Sequence, residues 1–260
     1  MQTVIYVILG VIVGGALLSL VGIVIYRKLR ENESLKYEFI TIIAHKFRTP
    51  LTQIKWTTEG LISEEQDPYK KQQLQELRDS NENLIKLTGT LVELTDAAGK
   101  NESAYSFETL NLCDMAKSAM EASKTSFHEK NLFMSLKSTQ PEVMVTADRP
   151  RMDFVLGTLM ENACSYSPPG RNISVHISIN KRKAVLSVTD NGIGIDGREL
   201  PHIFTKFFRT KEAQSMDTEG LGVGLYLARS IVQRHEGSLD VQSEGLGRGT
   251  TFFLTLPLAK

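Results

Sequence analysis

From Val4 to Tyr26 the chain carries no charged side chain. At about 1.5 Å per helical residue, a run of roughly 23 residues reaches ~35 Å, against a hydrocarbon core of about 30 Å. The run is therefore predicted to span a membrane as a single helix. No basic region precedes it and no small-residue cleavage site follows it, which sets it apart from a removable leader. Arg27, Lys28 and Arg30 come next, so the positive-inside rule directs the N-terminus outward and everything after Tyr26 into the cytoplasm. The expected localisation is a single-pass protein of the cell membrane. Gly10 and Gly14 have GxxxG spacing, which permits close packing of a second helix and equally matches the ordinary glycine content of such spans.

The remainder of the 260 residues suffices for one or two globular units. Acidic and basic residues balance at 30 each, which argues against a nucleic-acid partner. Cys113 and Cys164 fit neither a disulfide framework nor a CxxC metal site, and read as half-buried free thiols in a reducing compartment.

Arg27 to Glu38 is charged and lacks glycine and proline, so the membrane helix is expected to run on into the next one, leaving no room for a separate sensor module. In that next helix Ile43, Phe47, Leu51, Ile54 and Leu61 form one apolar stripe. His45 lies two residues from both Ile43 and Phe47 and so points away from the stripe, into solvent. A neutral imidazole there can act as a nucleophile near neutral pH. Pro50 is expected to bend the helix just beyond it. Ser63 to Pro68 reads as a turn, after which Leu74, Leu77, Asn81, Leu84, Thr88, Leu91 and Thr95 step as a heptad seam. Residues 28–98 are thus predicted to form an antiparallel hairpin. Its apolar faces would be covered either by a second copy, closing a four-helix bundle, or by the rest of the chain; the sustained seam favours the second copy.

Ala97 to Ser103 reads as a linker, and the pattern then changes. Strands are predicted over Phe107 to Leu112, Leu132 to Leu136, Val143 to Thr146, Ile173 to Ile179, Ala184 to Thr189, Ser238 to Ser243 and Thr250 to Leu256. Helices are predicted over Asp114 to Phe127, Met152 to Tyr166 and Val223 to His235, the last stopping at Gly237. The irregular stretch Gly197 to Gly220 exceeds ordinary loops and reads as a lid. Residues 99–260 therefore form the third of three predicted domains, after 1–27 and 28–98.

Two glycine clusters carry chemistry. DNGIGI (Asp190 to Ile195) follows an apolar strand, and GLGVGL (Gly220 to Leu225) precedes a helix. Gly220, Gly222 and Gly224 let backbone N–H groups approach an anion, and the helix behind them presents its positive end. There is no GxxxxGK[ST], so this is not a P-loop, and its late position disfavours a dinucleotide fold. Asp190 beside Gly192 and Gly194 is placed to accept a hydrogen bond from an exocyclic amino group such as that of adenine. Glu161 and Asn162 offer side-chain oxygens for Mg²⁺.

Taken in order, these stretches resemble the membrane-bound sensor histidine kinases of two-component systems, over nearly all of the chain after the span. HKFRTP (His45 to Pro50) resembles the phosphoacceptor box, ENACSYSPPG (Glu161 to Gly170) the asparagine box and DNGIGI the first glycine box. IFTKFFR (Ile203 to Arg209) is similar to the phenylalanine box, GLGVGL to the second glycine box and GRGTTFFLTLP (Gly247 to Pro257) to the final strand. The resemblance implies a membrane-anchored multidomain protein: one transmembrane helix, a dimeric helical hairpin, and an α/β sandwich of the gyrase-like type with a mixed sheet and helices on one face. It implies ATP and Mg²⁺ as cofactors, autophosphorylation of His45, and transfer to an aspartate in the receiver domain of a response regulator.

By the same resemblance His45 is the nucleophile, Asn162 the Mg²⁺ ligand and Asp190 the adenine reader. Gly192, Gly194, Gly220, Gly222 and Gly224 shape the pocket, with Tyr166 packed near the nucleotide. Arg209 neutralises charge on the transferred phosphoryl group, and Thr49 positions water for dephosphorylating the regulator. Three positions depart from the family pattern. Lys46 replaces an acidic residue that takes the imidazole proton, Thr158 a polar residue one turn before Asn162, and Ser165 a basic phosphate contact. A protonated lysine is no base, though by repulsion it keeps His45 neutral and attracts the γ-phosphate. The competing expectations are a membrane-anchored nucleotide-binding pseudokinase or phosphatase, and, last, a gyrase-like ATPase or serine-directed kinase, which leaves the span and hairpin unexplained.

Overall fold

A computed structural model describes residues 46–98, 105–216 and 220–259. The predicted span Val4 to Tyr26, and His45 itself, lie outside the described residues. Among the described residues no helix is long and apolar enough to cross a membrane. The chain divides into two compact units, Met1–Lys100 and Asn101–Lys260.

The first unit is a pair of helices, α1 (residues 46–64) and α2 (Pro68–Ala98). The turn between them is tighter than the predicted Ser63 to Pro68, because Pro68 opens α2 instead of closing the turn. A proline fits the first helical turn, where its missing N–H has no intrahelical role. Asp67 caps α2, its Oδ1 accepting from Tyr69 N–H at 2.9 Å. The apolar stripe of α1 splits in two. Leu51 and Thr58 are buried, as are Asn81 and Thr88 of α2, whereas Phe47, Ile54, Leu61, Leu77 and Leu84 are exposed. Each exposed set repeats every seven residues, the geometry of a face that another helix covers.

In the second unit a five-stranded sheet has the order β2-β4-β5-β7-β6, built from Phe133–Ser138 (β2), Asn172–Asn180 (β4), Lys183–Asp190 (β5), Ser238–Gln242 (β6) and Thr250–Pro257 (β7). The sheet is mixed: β2 and β4 are parallel, and the remaining neighbours antiparallel. Phe107–Asn111 (β1) pairs antiparallel with Met144–Asp148 (β3) in a separate ribbon. Leu112–Glu129 (α3), Arg149–Ser165 (α4) and Gly224–Arg234 (α6) pack side by side on the sheet, with α4 in the middle. Strict alternation brings Ile173, Val175, Ile177, Leu186, Val188, Phe252 and Leu254 to one face, where they meet Met152, Val155, Leu156 and Leu159 of α4. At about 1.5–3 kcal/mol per buried apolar side chain, this layer dominates the stability of the unit. Cys113 and Cys164 are free thiols, and they are buried instead of half-buried.

Two elements differ from the sequence reading. Gly197 to Gly220 is not wholly irregular, since it holds a 3₁₀ turn at Leu200–His202 and the short helix Lys211–Met216 (α5). The end of α6 is also not a glycine stop: Glu236, with φ 56°, adopts the left-handed conformation one residue before Gly237.

Candidate functional site

Asp190 ends β5 and is only 6% exposed. Oδ1 accepts from Gly192 N–H at 2.8 Å and from Thr250 N–H at 3.1 Å. Burial pushes its pKa up from 3.8 to about 6, against the downward pull of those two bonds. Around it three segments converge. Tyr166, capping the C-terminus of α4, accepts from Ile193 N–H at 3.0 Å through its carbonyl, and Ile193 O accepts from Gly247 N–H at 2.6 Å. Gly192 is obligatory here, because a Cβ at that position would collide with the Tyr166 carbonyl. Gly194 lies in the same loop, anchored at Ile195, whose N–H donates to Ser243 Oγ at 3.0 Å.

Asn162 lies one turn before Tyr166 on α4, and its Nδ2 donates to Thr158 O at 2.8 Å. That bond engages the carboxamide nitrogen, so the side chain offers its oxygen as a ligand of the kind Mg²⁺ takes. The methyl of Thr158 packs against Gly224 where α6 begins. No side chain caps that helix start, and Val223 at the cap is buried. The helix thus presents backbone N–H groups and the positive end of its dipole beside the glycines Gly220 and Gly222. Gly222 has φ 68° and lies under the Phe208 carbonyl, a combination that excludes a side chain.

Arg209 is held within the lid. Its Nη1 donates to Gly220 O at 2.8 Å and its Nη2 to Ala213 O at 2.9 Å, so in this structure the guanidinium ties α5 to the C-terminal end of the lid. Phe204 and Tyr226 reinforce the lid stem through cation–π contacts with Arg229 at 4.5 Å and Lys206 at 4.8 Å respectively. Thr49 and Lys46 are exposed on α1, in the other unit. Three contributors escaped sequence reasoning. Thr250 and Ser243 act through bonds to loops far away in sequence, with only the GRGT context of Thr250 as a hint. Lys130 holds the C-terminus of α4 by donating to Cys164 O at 2.9 Å and Ser165 O at 2.8 Å, a charge placed where Ser165 itself has none.

The assembly is a buried carboxylate, fixed by two backbone N–H groups, beside an uncapped helix start and an amide oxygen. It fits a purine nucleotide with an Mg²⁺ on its phosphates. Residues 147–260 match the family described as "Histidine kinase-, DNA gyrase B-, and HSP90-like ATPase". Residues 35–99 match "His Kinase A (phospho-acceptor) domain". The chain belongs to the two-component sensor histidine kinases. Among curated relatives it is 30% identical over 230 residues to the sensor protein SrrB of Staphylococcus aureus (strain MRSA252), which covers 86% of this chain and 38% of SrrB. The chain therefore spans about two fifths of the length of the curated relatives it matches. Of solved structures, full-length ShkA in complex with AMPPNP has a TM-score of 0.69 at 21% identity, covering 86% of this chain and 46% of that one. A mycobacterial sensor histidine kinase, MprB, has a TM-score of 0.52 at 26% identity over 58% of this chain and 98% of MprB. The ShkA likeness concerns fold alone.

Proposed function

We propose that this chain is an ATP-dependent protein-histidine kinase that phosphorylates His45 and passes the phosphoryl group to an aspartate of a response regulator. The observation that carries this reading is Asp190, a desolvated carboxylate pinned at the end of β5. Its free acceptor capacity suits the exocyclic amino group of adenine. Gly192, Gly194, Gly220, Gly222 and Gly224 then shape the pocket, the start of α6 receives the phosphates, and Tyr166 closes the adenine end. Asn162 would hold Mg²⁺, which would supply positive charge to offset that of the phosphates.

In the transfer, the neutral imidazole of His45 attacks the γ-phosphorus, the bond to the β,γ-bridging oxygen breaks, and ADP leaves with that electron pair. The ring proton passes to solvent or to a base other than Lys46. Arg209 would leave its lid carbonyls to meet the transferred phosphoryl group, since electrostatic stabilisation dominates such reactions. The receiver aspartate next takes the phosphoryl group, and Thr49, on the exposed face of α1, positions water for its later hydrolysis. The exposed heptad positions of α1 and α2 favour a homodimer in which two hairpins close a four-helix bundle. Val4 to Tyr26 would anchor it in the cell membrane by one pass, with the N-terminus outside and both catalytic units in the cytoplasm.

Lys46 favours a second reading, a nucleotide-binding pseudokinase or phosphatase that regulates its partner without efficient autophosphorylation. Incubation with γ-labelled ATP and Mg²⁺ decides between them. Acid-labile label that disappears in His45→Ala supports the kinase. Label absent from the wild type but present in Lys46→Glu supports the pseudokinase.

A further inference from the structure

The connection from α2 reaches the second unit through residues 99–104, and Tyr105 and Ser106, the first described residues beyond it, are held at a shared junction. Ser106 N–H donates to Asp148 Oδ2 at 2.8 Å. The other oxygen of the same carboxylate caps α4, accepting from Arg151 N–H at 3.1 Å. Asp148 N–H in turn donates to Nε2 of His235 at 3.0 Å, and Nδ1 of that ring pairs with Ile231 O at 2.8 Å. An accepting Nε2 and a donating Nδ1 require the neutral ring, which is 3% exposed at the C-terminal cap of α6. Tyr105 covers this junction. Its ring is edge-on to His235 at 5.7 Å and stacked on Phe107 at 5.8 Å. The guanidiniums of Arg151, from α4, and Arg234, from α6, lie 5.1 and 5.4 Å from the ring centre.

One strap therefore grips the N-terminus of α4 and the C-terminus of α6 together. The opposite ends of these helices form the nucleotide site: α4 ends at Asn162 and Tyr166, and α6 starts at the glycine box. We propose that Tyr105, Ser106, Asp148 and His235 are positioning residues, forming a latch that fixes where the connection from the phosphoacceptor hairpin joins the nucleotide-binding helices. The proposal rests on the histidine-kinase reading. A tether of residues 99–104 reaches at most about 3.5 Å per residue, so the point at which it is fixed limits where the ATP-bearing unit can go. Opening the latch frees Tyr105 and Ser106, lengthens the tether and lowers the effective concentration of bound ATP at His45. The pocket residues themselves are untouched, so binding and transfer should separate.

The test uses the full chain in membranes, with γ-labelled ATP to follow His45 and a fluorescent ATP analogue to follow binding. Ser106→Pro removes the donor N–H, whereas Ser106→Ala keeps it; Tyr105→Ala removes the ring, whereas Tyr105→Phe keeps it. In Ser106→Pro and Tyr105→Ala, kcat for labelling should fall about tenfold, through lost orientation more than through the longer tether, and within the roughly hundredfold that a misplacement of about 1 Å can cost. Their KM for ATP should stay within about twofold of wild type, the pattern of a lost positioning effect. Ser106→Ala and Tyr105→Phe should label as wild type. Full-rate labelling in Ser106→Pro and Tyr105→Ala overturns the latch, and so does a KM that rises in step with the lost rate, which would mark a damaged pocket. A wild type that binds the analogue but takes no label overturns the kinase reading, and the latch with it.

Discussion

Asp190 and His235 are both buried, and burial moves their pKa values in opposite directions. For Asp190 the folded value of about 6 stands above the ordinary 3.8, so the stability this group contributes is present below 3.8 and is lost as pH rises through about 6. At neutral pH the carboxylate is thus unfavourably desolvated, and under the proposed function an amino-group donor from adenine would relieve it. ATP affinity, measured by titration calorimetry, should weaken as pH falls below about 6. Asp190→Asn should lower affinity at pH 7.5 by about 10- to 100-fold, the worth of a hydrogen bond to a charged group. His235 is held below the usual 6.5, first by desolvation, with Arg151 adding to the shift and the Ile231 carbonyl and Asp148 opposing it. Its contribution is present above 6.5 and lost as pH falls through the folded value. As pH falls below 6.5 the loss of the His235 contribution runs against the gain from Asp190, so it is read as a difference: the melting temperature of the nucleotide-binding unit should fall more, or rise less, in the wild type than in His235→Gln. His45 and Asp190 could be singled out from sequence by their neighbours. His235 could not, because its partner Asp148 is 87 residues away.

The hairpin teaches a similar lesson at the level of elements. Heptad spacing located α1 and α2, but not which stripe positions their mutual contact would use. Packing assigned Leu51 and Thr58 to the inside and left Ile54 and Leu61 outside. Ile54→Asp or Leu84→Asp should then break the proposed dimer without unfolding the hairpin, read as a halved mass by light scattering and retained helical circular dichroism. Asn81 adds a register mark. It is 4% exposed and donates to Leu51 O at 2.9 Å, while its Oδ1 has no hydrogen-bond partner among the described residues. Leaving a buried acceptor unpaired costs about 1–3 kcal/mol, so Asn81→Leu should raise the melting temperature of the hairpin while loosening its register. An unchanged or lower melting temperature would contradict this.

At the scale of the molecule, the division at Lys100 and Asn101 separates the phosphoacceptor end from a nucleotide unit with its own continuous core. Asn101–Lys260 expressed alone should fold and bind ATP, yet incorporate no label, because His45 is on the other piece. In the full chain, ATP should raise one of two thermal transitions. At a hundred times Kd the expected gain is about 2.7 kcal/mol for the unit that binds. A single transition shifted as a whole would show that the units unfold together.

What the sequence determined by itself was local or periodic: an uncharged run, a heptad seam, strand alternation and the order of the glycine boxes. These follow from helix and strand geometry and from the tolerance of glycine, so they survive without knowledge of neighbours. Only the tertiary structure decided what depends on distant atoms. It put Thr250 N–H on Asp190, 60 residues away, and gave that carboxylate the desolvation that sets its titration. It turned Arg209 onto the carbonyls of its own lid, and joined Ser106, Asp148 and His235 into one latch. Burial and long-range hydrogen bonds are properties of the packed chain, because desolvation is a sum over all surrounding atoms and no single stretch contains it.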